Sequence, residues 1–72
     1  MSKTNGKRET FLRLHAYRSC HGIGAFARIA EASGGTLTIG MVMDMYNAFS
    51  RPPVLWARLR LALDLLEQEE HG

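Results

Sequence analysis

Three soft metal ligands, His15, Cys20 and His21, stand close together in this chain, and Gly22-Ile23-Gly24 follows directly. A structural zinc site needs four such donors, usually in closely spaced pairs; these three lack the paired spacing and a fourth ligand nearby. Nucleophilic catalysis needs a base oriented against a serine or cysteine, and only adjacency links Cys20 to His21. Gly22-Ile23-Gly24 has no strand before it and no third glycine, so it does not read as a phosphate-cradling loop. The resulting expectation is a helix-end histidine, a buried thiol, and a non-enzymatic chain without metal or cofactor. Cys20 is the only cysteine, so an intramolecular disulfide is impossible, and a reducing cytoplasm is expected.

The remaining chemistry is recognition of an anionic partner. Net charge is only +2, but Lys3, Lys7, Arg8, Arg13, Arg18 and Arg28 all lie in the first 28 residues, while Glu67, Glu69 and Glu70 close the chain. A basic half and an acidic end fit an anionic partner on the N-terminal side; the competing reading is an ordinary solvated surface.

These residues need elements to position them. A composition of 46% hydrophobic and 22% charged residues over 72 positions defines one small globular domain with a thin core. Neither a secretory leader nor a long uncharged apolar run is read, so a soluble protein is expected. Residues 1–6 lack apolar periodicity and predict a mobile basic arm, with the domain over 7–72. Phe11, Leu14 and Tyr17, with Leu12 and Ala16 beside them, predict a first helix from Lys7 to Cys20, which His21-Gly22-Ile23-Gly24 breaks. A second helix is expected over Ala25–Ala32, with Phe26, Ile29, Ala30 and Ser33 on one face, and a turn over Ser33–Thr38. Thr38 then caps a third helix over Ile39–Ala48, whose apolar face carries Ile39, Val42, Met43 and Tyr46.

Leu37, Ile39, Met41, Met43 and Met45 also alternate like a strand, but no second strand exists to pair with, and helix is the stronger reading. Phe49-Ser50-Arg51-Pro52-Pro53 predicts a loop, followed by a long helix over Val54–Glu69. Leu55, Trp56, Leu59, Ala62, Leu63 and Leu66 form its core face. Leu61 and Leu65 widen that stripe beyond what the other helices can cover, which predicts a homodimer contact.

Over Ala25 to Leu66 the chain resembles the phage repressor and Cro-like helix-turn-helix family. Ile29-Ala30-Glu31-Ala32-Ser33-Gly34 is similar to the first motif helix, and Thr38 through Asn47 to the recognition helix, with Val42 at the buried position. Asn47-Ala48-Phe49-Ser50-Arg51-Pro52 resembles the exit from that helix, although Ala48 stands where the family has glycine and the turn is about two residues longer. Trp56, Leu59, Ala62 and Leu63 match the apolar positions of the next helix.

The resemblance implies an all-α, lambda-repressor-like domain of four or five helices that binds duplex DNA with the helix around residues 39–47. It sets Ile39, Gly40, Met43 and Asp44 toward the bases and Thr38, Asn47 and Arg51 on phosphates, with Lys7 and Arg8 adding affinity. The residues facing the bases lack the Arg, Lys, Gln and Asn that make most bidentate contacts. Asp44 is suited to a cytosine amino group and the methionines to a thymine methyl.

The implied function is a small transcriptional repressor. The alternative is a protein-binding module on the same scaffold that inhibits or sequesters a bacterial or phage protein through Met41, Met43 and Met45. A membrane-surface role is disfavoured, because the last helix presents Asp64, Glu67, Glu69 and Glu70 rather than lysines.

Overall fold

A computed structural model describes residues 3–71, which form an all-α domain with no strand among them. Helix α1 spans Lys3–His21 and passes through a 3-10 turn at Gly22–Gly24 into α2, Ala25–Ala32. Helix α3 spans Ile39–Asn47 and α4 spans Pro53–His71. The segment read as either strand or helix is therefore helical. Part of the arm expected over residues 1–6 lies outside the described residues; from Lys3 onward the backbone is already helical. Within α1 the buried Thr10 hydroxyl is satisfied by donating to the Gly6 carbonyl at 2.8 Å.

The core draws on every helix. Leu14 and Tyr17 of α1, Ala25, Phe26 and Ile29 of α2, and Val42 and Met45 of α3 close over Trp56, Leu59, Ala62, Leu63 and Leu66 of α4. Helices α1 and α4 run parallel: Lys7 and Arg60 line one groove, Arg13 Nη2 reaches Asp64 at 2.9 Å and Glu67 at 3.0 Å, and His21 lies 3.2 Å from Glu70. Partial burial opposes the charge on Arg13, but its hydrogen bonds and Coulomb attraction to the two carboxylates prevail, holding its pKa above the ordinary value.

Three expectations are corrected. Leu12 is 58% exposed, because it points away from the line of Leu14 and Tyr17. Cys20 is exposed rather than buried. On α3 the inward residues are Val42 and Met45, with Tyr46 half-buried, whereas Ile39 and Met43 are exposed. Leu37, which the helical reading leaves in the turn, enters the core at 2% exposure just before α3 and joins Val42 and Met45 there.

The connection from α2 to α3 is built locally. Ser33 Oγ donates to the Ala30 carbonyl at 2.6 Å and accepts from the Leu37 amide at 3.0 Å, so one side chain ends α2 and fixes the approach to α3. Gly34 and Gly35 sit at φ of 69° and 94°, where a Cβ is strained although the surrounding space is open. Gly34→Ala is therefore expected to lower stability by about 1 kcal/mol, measured by urea unfolding; an unchanged or raised midpoint contradicts this role.

Candidate nucleic-acid interface

Thr38 has the extended backbone of an N-cap, and its side chain accepts from the Met41 amide at 3.1 Å. Ile39, Gly40, Met43 and Asp44 then lie on the exposed side of α3. Asn47 closes the helix by donating Nδ2 to the Met43 carbonyl at 3.0 Å. Thr38→Ala should cost about 1 kcal/mol by loss of the cap, while Thr38→Ser should retain most of that stability, as read from thermal melts.

The loop after α3 is anchored by aromatic packing. Trp56 Nε1 donates to the Arg51 carbonyl at 3.1 Å, and Phe49 packs against Phe11 and Trp56 at ring separations of 5.1 and 5.7 Å. The ladder continues from Phe11 to His15 at 4.6 Å and from His15 to Tyr46 at 4.2 Å, linking α1 to α3. His15 also places Nε2 3.1 Å from the Tyr46 carbonyl, so its role is to join helices. Among the described residues no group of three or more metal-ligating side chains comes together.

This packing gathers cations. Lys7 Nζ stands 4.5 Å from the Phe49 ring centroid, beside the loop that carries Arg51. Lys7 and Arg60 line an open groove of about 340 Å³ between the starts of α1 and α4, together with Gly6, Thr10, Pro53 and Trp56. Arg8 is exposed on α1. Because α1 and α4 are parallel, their basic starts share one pole of the domain, and Glu67, Glu69 and Glu70 lie toward the other. Charge read along the chain shows the N-terminal cations and the C-terminal acids, but not that Arg60 joins Lys7; that depends on the helix direction.

Arg51 Nη2 donates to Asp44 Oδ2 at 2.9 Å. The carboxylate on the outer face of α3 is thereby paired with the loop cation, a link between two expected site residues that spacing alone does not reveal. Among the residues expected to meet a partner, Met45 is fully buried and unavailable, whereas Met43 is 41% exposed. Leu61 and Leu65 are exposed on α4, away from this interface. Among the described residues no helix is long and apolar enough to cross a membrane. Comparison with protein-family models, with curated proteins and with solved structures finds no match for the chain.

Proposed function

We propose that this chain is a small DNA-binding regulator of the helix-turn-helix type, with α2 and α3 as the paired helices and α3 directed at the major groove. The observation that carries the reading is that Lys7 stands against Phe49 of the loop that leaves α3 and carries Arg51, with Arg60 lining the same groove as Lys7 and exposed Arg8 next to it in the chain. Cations there suit the phosphate backbone, the larger source of affinity. The hydroxyl hydrogen of Thr38, the second amide hydrogen of Asn47 and the remaining guanidinium N–H groups of Arg51 are the further backbone donors.

Base discrimination is weak in this scheme. Ile39, Gly40 and Met43 offer no bidentate hydrogen bonds, and Asp44 is engaged by Arg51. Binding is therefore dominated by the backbone and tolerant of sequence. Titration of a labelled duplex at about 50 and about 200 mM salt tests this; some four phosphate contacts predict a loss of about 100-fold between them. Indifference to duplex DNA at the lower salt overturns the reading.

A second reading is favoured by one observation, the 48% and 41% exposure of Ile39 and Met43 on the same side of α3. Two large apolar side chains there suit a protein surface better than a polyanion, and a scaffold that sequesters another protein would use them. It is the reading left if the DNA titration fails.

A further inference from the structure

Helix α4 is apolar on two sides. Its inner side is core, but Val54, Leu61 and Leu65 are 55%, 59% and 49% exposed. With Arg58 between them and Gln68 beyond, they follow the series i, i+4, i+7, i+11, i+14 and so make one stripe along the helix. Nothing described within the domain covers it. Helix α1 takes the side of α4 marked by Pro53, Arg60, Asp64 and Glu67, and α2 approaches the side marked by Leu66 and Glu69.

The charges flanking the stripe identify the occupant. Arg58 and Arg60 lie in the first half of α4, and Glu67, Glu69 and Glu70 in the second. Among the described residues, Arg58, Arg60 and Glu69 make no ion pair within the chain. A second α4 laid parallel would set Arg58 against Arg58 and Glu69 against Glu69. Laid antiparallel, with a two-fold axis beside residues 63 and 64, it sets Leu61 on Leu65 and Arg58 against Glu69, each twice. The midpoints of the two pairs fall half a residue apart, so one register brings both together. Asp64 meets its own copy near the axis, and its charge is already offset by Arg13 at 2.9 Å.

We infer that the chain forms an isologous dimer through antiparallel α4 helices, with Leu61 and Leu65 at its centre and reciprocal Arg58–Glu69 pairs at its edges. The dimer stands apart from DNA binding and is tested without it. Sedimentation equilibrium of the wild-type chain over a range of concentrations should show the mass rising from one chain to two. A mass of one chain at every concentration up to several hundred micromolar overturns the proposal.

Leu65→Glu should abolish association while leaving the helical circular dichroism unchanged, since the side chain is 49% exposed and lies outside the core cluster. Arg58→Glu and Glu69→Arg should each weaken association by roughly tenfold, because each turns two attractive pairs into repulsive ones. The double variant R58E/E69R should recover wild-type association. If the double variant stays as weak as the single ones, the antiparallel register is overturned, and this swap separates that failure from misfolding.

Discussion

Arg51→Ala is expected to weaken binding to duplex DNA by about tenfold and to reduce the salt dependence by about one unit of slope. The size of the effect comes from two losses with one cause. The guanidinium is a phosphate donor in the proposed complex, and it also neutralises Asp44 at 2.9 Å. Removing it takes away a cation and uncovers a carboxylate on the surface of α3 that faces DNA in the proposed complex. Asp44→Asn separates the two contributions: it removes the repulsion and releases Arg51, so affinity should rise several-fold while the salt slope is kept or steepened. Fluorescence anisotropy at two salt concentrations measures both. Equal binding by wild type, Arg51→Ala and Asp44→Asn would remove the loop from the interface.

Leu59→Ala should have the largest effect on stability, a loss of about 3 kcal/mol. Leu59 is fully buried on the inner face of α4, in a core that α1, α2 and α3 all share. A domain of this length has roughly 4–10 kcal/mol in total, so that one substitution removes a large part of it and should lower the Tm by roughly 12–24 °C. Leu61→Ala, two residues along the same helix but 59% exposed, should change the stability of the monomer by less than about 0.5 kcal/mol. Calorimetry of the two variants at low protein concentration gives the comparison. Similar losses in both would mean that the assigned inner and outer sides of α4 are wrong.

The contrast between Leu59 and Leu61 also marks how far sequence could be read. Helix ends were legible because their causes are local: Gly22 and Gly34 adopt positive φ, Ser33 folds back onto Ala30, Thr38 caps α3, and Pro52-Pro53 separates the loop from α4. The core face of α4 was legible from its period, because six apolar residues at helical spacing leave little choice.

Helix α3 was harder. With apolar residues at 39, 41, 42, 43 and 45, its pattern permits more than one inward face, and only packing selects Val42 and Met45, buried in one cluster with Leu37. Of the proposed interface, Thr38, Asn47 and Arg51 are candidates that the pattern offers, whereas the pairing of Asp44 with Arg51 and the place of Arg60 beside Lys7 come only from the structure.

By itself the sequence determined an all-helical chain, the places where its helices stop and the basic and acidic ends, because turns, caps, periodicity and charge depend on residues within a few positions of one another. Only the tertiary structure decided the parallel course of α1 and α4, the joining of Lys7 and Arg60 beside the Arg51 loop, and which oily residues of α3 and α4 stay in water. Those depend on contacts between residues tens of positions apart, where many arrangements share the same local preferences and close packing selects one.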